Sequence, residues 1–142
     1  MEHAKIARLA LVKQRLRDAS RARQLDAERE LEASQHASRR AAEAFEKAHH
    51  ALGATGTFEA ADLELRARAV VERQHDLHRA ETAVRERHHA AERSRVERIA
   101  AEREVHVMEH AEERAASAER REKDKREDAE RDDRTASRRR SA

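Results

Sequence analysis

The sequence predicts an all-α protein in which two long helices form an antiparallel coiled-coil hairpin. Three observations predict this fold. Ala, Glu, Lys, Leu and Arg, all strong helix formers, make up about two-thirds of the 142 residues, above the roughly one-half typical of coiled coils. The chain has no proline. Both of its glycines lie in one short stretch, residues 52–58, which interrupts an otherwise helical pattern.

Helix 1 is expected from about residue 3 to residue 52. Its second half carries a heptad seam with alternating spacings of three and four: Leu31, Ser34, Ser38, Ala41, Phe45, Ala48 and Leu52. Its first half carries another apolar set on one face: Ile6, Leu9, Val12, Leu16 and Ala19. The eleven-residue step from Leu16 to Ala27 predicts a local shift of the seam.

Residues 53–57 are predicted as the bend. Gly53 follows a turn with Lys47 and His50, whose positive charge suits a helix C-terminus, and glycine tolerates the positive φ common just after a helix. Thr57 is the expected N-cap of helix 2.

Helix 2 is expected over about residues 58–130, followed by a charged tail at 131–142, so that residues 1–142 form a single hairpin. One apolar set recurs every seven residues: Leu63, Val70, Leu77, Val84 and Ala91. The alternate seam positions are mostly polar: Ala67, Gln74, Glu81 and His88. After Arg95 the apolar face moves to Val96, Ile99, Val105 and Met108.

The charge pattern supports antiparallel pairing. If Leu52 lies opposite Phe58, the numbers of facing residues add to about 110. Blocks of opposite charge then face each other: Lys5 and Arg8 with the region of Glu102 and Glu104, and Glu28, Glu30 and Glu32 with the region of Arg79. This register leaves helix 2 unpaired beyond about residue 108.

No constellation of residues indicates catalysis or metal binding. The chain has no cysteine, which excludes disulfides and cysteine-ligated zinc. His106 and His110 share a helix face, but Val107 stands where a zinc-protease helix has glutamate. We therefore expect a non-enzymatic protein without cofactor or metal.

Membrane insertion and nucleic-acid binding are not expected either. No run approaches the ~20 apolar residues of a membrane span, and no signal peptide opens the chain, so a cytoplasmic protein is predicted. The terminal arginines 138–140 could neutralise phosphates, but aspartates such as Asp132 and Asp133 precede them, and neither phenylalanine lies near.

The first helix is unusually basic at its start. Seven cations precede residue 25, against only Glu2 and Asp18: Lys5, Arg8, Lys13, Arg15, Arg17, Arg21 and Arg23. Cations near a helix N-terminus oppose the helix dipole. Two interpretations stay open: these residues bind a partner, or glutamates 102, 104 and 109 of helix 2 neutralise them.

Three segments carry a resemblance to a known family. They are Leu9–Arg15 followed by an Ala/Glu/Arg helix, the segment Glu104–Arg114 with a hydrophobic pair before Glu-Arg, and the acidic Arg126–Asp133. In these and in size, the chain resembles the coiled-coil stalk proteins of type III export ATPases, the flagellar FliJ and injectisome YscO/SctO group. Asp132-Asp133 stands where that family commonly has Asp-Glu.

The resemblance implies a central stalk that inserts into a hexameric secretion ATPase, stimulates it and links it to the export gate. Escort chaperones would be further partners, at the cytoplasmic side of an inner-membrane export apparatus serving flagellar assembly or virulence. It places ATPase contacts on Lys5, Arg8, Arg15, Glu112, Glu113, Arg114 and Arg121. It places export-gate contacts on Phe45, Leu52, Phe58 and Leu63.

Two other functional classes remain open. One is a structural coiled-coil tether or dimerisation protein with no ATPase partner. The other is a nucleic-acid-associated helical protein, which a strongly salt-dependent affinity would reveal.

Overall fold

Two long helices make up nearly all of the molecule. The computed structural model describes residues 2–140, and side chains over residues 4–137. Helix α1 spans Glu2–Gly53 and helix α2 spans Ala60–Arg140, with no strand in this part of the chain. The predicted all-α hairpin of two long helices is confirmed. The side chains of arginines 138–140 and the last two residues, which belong to the predicted charged tail, lie outside the described residues.

Contacts between the helices group the chain into two units. Unit 1 combines the start of α1, up to Ala19, with α2 from Ile99 onward. Unit 2 comprises Ser20–Arg98 and includes the bend. In each unit a stretch of α1 packs against a stretch of α2, so each has its own inter-helix seam and is described by itself.

The bend in unit 2 is built differently from the prediction. Gly53 is the last residue of α1, and neither glycine has a positive φ. The carbonyl of Glu59 accepts bonds from the backbone N–H groups of Asp62 and Leu63, at 3.1 and 3.2 Å, so Glu59 and not Thr57 is the N-cap. A connection from residue 54 to residue 59 is long enough to reverse the chain without left-handed backbone.

Arg66 closes this bend. Its guanidinium lies 3.9 Å from the ring centroid of Phe58. Its Nη1 donates to the carbonyl oxygen of Ala51 at 2.5 Å. This carbonyl lies in the last turn of α1, where helical carbonyls lack an intrahelical partner. Arg66 therefore joins the end of α1 to the start of α2.

The seam of α1 follows one heptad pattern throughout the described residues. The predicted positions from Leu31 to Leu52 are all half-buried, so that part of the seam is confirmed. Toward the N-terminus the same three-four spacing continues through residues that are buried or half-buried and, apart from the first in the chain, small or polar: Ala27, Gln24, Ser20, Arg17, Lys13, Ala10 and Ile6. The predicted shift between Leu16 and Ala27 does not occur.

The apolar face predicted for the first half of α1 is therefore wrong. Leu9, Val12 and Leu16 are 53%, 50% and 49% exposed, whereas Ala10 is 4% exposed. Small side chains at the seam let the two backbones approach closely. The larger leucines and valine lie to one side of that seam.

The helices pair one heptad away from the predicted register. In unit 1, Lys13 forms an ion pair with Glu104 at 2.7 Å, although the prediction placed residue 97 opposite it. In unit 2, Glu30 pairs with Arg87 at 2.5 Å instead of facing the region of residue 80. Both partners lie seven residues further along α2. A shift of seven preserves every seam position, so periodicity does not distinguish the two registers.

Helix α2 confirms part of its predicted seam. Val70, Leu77 and Val84 are half-buried and Ala91 is buried. Leu63 is 41% exposed, and the predicted alternate positions, Ala67, Gln74, Glu81 and His88, are all exposed. Ala80 and Ser94, three residues after Leu77 and Ala91, are half-buried instead, whereas the equivalent Arg73 and Arg87 are exposed. Val105 is 3% exposed and Val96 is 64% exposed, so only the former joins the seam.

The last part of α2 in unit 1 packs against no other helix among the described residues. Every side chain from residue 117 to residue 137 is exposed, so the unpaired part starts later than the predicted residue 108, as the shifted register requires. The helix continues to Arg140, past the predicted end near residue 130. Ion pairs one turn apart accompany it, such as Lys123–Glu127 at 3.7 Å and Arg134–Glu130 at 3.6 Å. Neither helix, over the residues described, is apolar enough for long enough to cross a bilayer.

Candidate partner-binding surface

The histidines and carboxylates of the described residues do not gather into a metal-binding cluster. No group of three or more His, Asp or Glu side chains among them converges as metal ligands would. His106 and His110, the pair weighed from the sequence, each lie near a glutamate one turn later. His106 Nδ1 is 3.3 Å from Glu109, and His110 Nδ1 is 3.6 Å from Glu113. One surface groove is lined by neighbouring turns of α2, at Glu109, Glu112 and Ala116.

The most distinctive surface of unit 1 is an apolar stripe on α1. We define the stripe as Leu9, Val12 and Leu16, each about half exposed. Their spacing of three and four residues places them on one face of the helix. Monomeric proteins expose single apolar residues routinely, but a row at seam spacing is the pattern of a helix-packing surface.

Helix α2 adds one residue to the same side of unit 1. The Lys13–Glu104 ion pair crosses between the helices there. Leu9 lies four residues before Lys13 and Leu16 three residues after it, so both flank the pair on α1. Val107 lies three residues after Glu104 and is 64% exposed. We call the surface formed by the stripe and Val107 the side face.

Positive charge borders the side face on both helices. Arg8 and Arg15 lie four residues before and three residues after Val12, and both are exposed. Neither forms an ion pair within the part of the chain that the structure describes. On α2, the exposed Arg103 and Arg114 lie four residues before and seven after Val107.

The glutamates of α2 in unit 1 lie mostly away from the side face. Successive residues of a helix are rotated by about 100°, so Glu109 points about 200° away from Val107. Glu113 follows Glu109 by four residues and shares its side. Glu104 is the exception, and it is already paired with Lys13. The side face therefore carries a net positive border.

The structure bears on one of the two interpretations of the basic first helix, its neutralisation by glutamates of α2. Lys13 is neutralised in this way, by Glu104. Arg17 instead donates to its neighbour Asp18 at 3.0 Å. Arg8 and Arg15 extend from the exposed surface without an acidic partner among the described side chains.

All seven residues assigned to the ATPase contact belong to unit 1, but they do not form one patch. Lys5, Arg8, Arg15 and Arg114 are exposed and border the side face. Glu112 is half-buried at the seam, and Glu113 lies on the opposite side near His110. Arg121 lies on the unpaired part of α2.

The four residues assigned to the export gate lie in unit 2 and are also dispersed. Phe58 is half-buried under Arg66. Phe45 stacks on His49 with ring centroids 6.0 Å apart, and it lines a groove together with Leu77. Leu52 is half-buried. Leu63 and Leu65 are large apolar residues near the bend that are exposed, at 41% and 62%.

The side face was missed because its leucines were assigned to the hairpin seam. A signal for it does exist in the sequence. When the seam of residues 31–52 is continued backward in steps of three and four, it reaches Gln24, Arg17 and Ala10 and passes beside Leu9 and Leu16. Large apolar residues beside a seam made of small and polar ones indicate a second packing surface.

In comparisons with protein-family models, curated proteins and solved structures, nothing matches this chain. The resemblance to export-ATPase stalks therefore rests on the residues quoted for it alone.

Proposed function

We propose that this protein is a non-enzymatic helical hairpin that works by binding other proteins, and specifically that it is the central stalk of a type III protein-export apparatus. In that role unit 1 would insert into the hexameric secretion ATPase and stimulate it, and the bend would face the export gate. The observation that carries the proposal is the exposed basic border of unit 1, at Arg8 and Arg15.

Two further features support this assignment. Lys5, Arg8, Arg15 and Arg114 are all exposed on one unit, where they are available to a charged ring interior. The unpaired α2 beyond residue 117 provides a single helix that can enter a narrower opening than a helix pair can. The proposed location is the cytoplasmic side of an inner-membrane export apparatus, with escort chaperones as further partners.

ATPase stimulation tests the proposal. The full chain is added to the secretion ATPase of the same cell, and phosphate release is measured. We expect the double variant Arg8→Glu/Arg15→Glu to lose stimulation while helicity by circular dichroism is unchanged. The matched control is Arg39→Glu/Arg40→Glu, which reverses two exposed arginines of α1 in unit 2. Equal stimulation by both double variants would remove the ATPase assignment.

A structural tether or dimerisation protein without an ATPase partner is the second candidate. The observation that favours it is the apolar stripe, whose seam spacing suits helix association. Sedimentation equilibrium separates the candidates: a monomer across micromolar concentrations supports the stalk, whereas a dimer that dissociates on Val12→Asp supports the tether.

A further inference from the structure

We propose that the side face of unit 1 binds one amphipathic α-helix of another protein, and that this helix carries acidic residues beside its apolar stripe. The inference does not depend on an ATPase partner. It goes beyond the proposed function because it assigns a distinct surface and the chemistry of its occupant.

The apolar residues define the shape of the occupant. Leu9, Val12 and Leu16 repeat the three-four spacing by which one helix packs against another. Val107 extends the surface across the Lys13–Glu104 pair onto α2. A third helix laid along this side would rest against both helices and would bury the exposed halves of these side chains. The segment from Lys5 to Leu16 is about 16 Å long, which three turns of a partner helix would cover.

The charged residues define the sign of the charge that the occupant must carry. Lys5, Arg8 and Arg15 lie on the α1 side of the surface, and Arg103 and Arg114 lie on the α2 side. In a packed set of helices, residues beside the apolar seam pair across the interface and select the partner. Glutamate or aspartate on both flanks of the incoming helix would complement this border.

A second copy of the chain is a less favoured occupant of this surface. Two side faces brought together would place the arginines of one copy against those of the other, and like charges at flanking positions oppose association. A membrane surface fits less well too. Interfacial helices bury a broad apolar face, usually with aromatic residues, whereas this surface has four large apolar side chains and no aromatic one.

The experiment uses the full chain and two designed peptides of three heptads. Both have leucine at the two seam positions of each heptad. In one peptide the four positions that flank the seam in each heptad are glutamate, and in the other they are lysine. These like charges keep each peptide from pairing with itself. Binding is measured by fluorescence anisotropy of the labelled peptide. We expect the glutamate peptide to bind at least tenfold more tightly than the lysine peptide.

Two variants of the chain locate the site. Val12→Asp should reduce binding of the glutamate peptide more than tenfold, whereas Leu65→Asp, at an exposed position of unit 2, should leave it unchanged. Arg8→Glu/Arg15→Glu should narrow or reverse the preference between the peptides while circular dichroism stays the same. Because Val12→Asp leaves both arginines in place, loss of peptide binding with retained ATPase stimulation separates this surface from the stalk function.

Four results would overturn the proposal. Equal affinity for the two peptides would remove the charge complementarity, and binding unaffected by Val12→Asp would remove the site. Dimerisation that Val12→Asp abolishes, or binding to vesicles of anionic lipid that it abolishes, would assign the surface to a second copy or to a membrane instead.

Discussion

The ammonium group of Lys13 lies 2.7 Å from a carboxylate oxygen of Glu104, although 91 positions separate the two residues in the chain. Because the two residues lie on different helices, this contact shows which residues of α1 and α2 face each other in unit 1. It also lies beside the exposed leucines of the side face. The same ion pair therefore marks both the register of the two helices in unit 1 and the position of the exposed side face.

Reversing one charge of this pair should destabilise the hairpin slightly, and reversing both should restore it. Both side chains are partly exposed, at 34% and 57%, so we expect a coupling of about 0.5 kcal/mol. The measurement is a double-mutant cycle with Lys13→Glu and Glu104→Lys in urea unfolding. A coupling of zero would mean that the pair contributes nothing to the register.

Spin labels can measure the register of unit 2 directly. The chain has no native cysteine, so labels attach only where cysteine is introduced. Labels at Glu30 and Arg87 should lie closer together than labels at Glu30 and Ala80, because seven residues of helix span about 10 Å. The reverse order of distances would restore the register predicted from the charge blocks.

Val105 should contribute far more to stability than its neighbour Val107. Val105 is 3% exposed and Val107 is 64% exposed. Val105→Ala should lower the free energy of unfolding by about 1–2 kcal/mol, whereas Val107→Ala should change it by less than about 0.5 kcal/mol. Urea unfolding followed by circular dichroism compares the two variants. Equal losses would place both valines in the same environment.

Replacing Gly53 by alanine should stabilise the protein. Gly53 belongs to α1, has no positive φ, and an added Cβ would meet no atom within 4 Å. Alanine lowers the conformational entropy of the unfolded chain and favours helix, so we expect a gain of about 0.5–1 kcal/mol. Gly56→Ala is the comparison, since its Cβ would make only ordinary van der Waals contact with the Phe58 ring, at 3.4 Å. Residue 56 lies outside both helices, so this substitution lacks the helix-propensity part of the gain. Destabilisation by Gly53→Ala would show that the bend needs glycine there.

Arg66 should stabilise the bend through its ring contact and its bond to the α1 carbonyl. Arg66→Ala removes both and should cost about 1–2 kcal/mol. Thermal unfolding is the measurement, and Arg40→Ala, at an exposed arginine of α1, is the control. If Phe58→Ala and Arg66→Ala add without coupling, the contact between guanidinium and ring is energetically silent.

Much of the secondary structure could be predicted because helix formation is local. Alanine, glutamate and arginine favour helix wherever they stand, and the absence of proline removes the strongest interruption. The half-buried positions from Leu31 to Leu52 follow directly from the three-four pattern. The end of α2 was placed too early, because ion pairs such as Lys123–Glu127 accompany a helix that has no packed face.

The candidate site was harder to predict because large apolar residues were assumed to lie inside. Leu9, Val12 and Leu16 have helical spacing, which an inner and an outer face satisfy equally. Ala10 is buried and its neighbour Leu9 is exposed, and only the packing of the two helices decides which of them faces inward. The basic residues at the border of this site were visible in the sequence. The sequence did not predict which of them is neutralised: Glu104 pairs with Lys13, whereas Arg8 and Arg15 stay exposed.

The sequence by itself determined that the chain forms two helices joined near its glycines, since propensity and periodicity act over a few residues. Only the tertiary structure decided which residues of α2 lie opposite those of α1. A heptad seam looks the same after a shift of seven, so the choice depends on the bend from Gly53 to Ala60 and on long-range pairs such as Lys13 with Glu104. That choice, together with a seam of small residues, leaves the larger apolar side chains exposed.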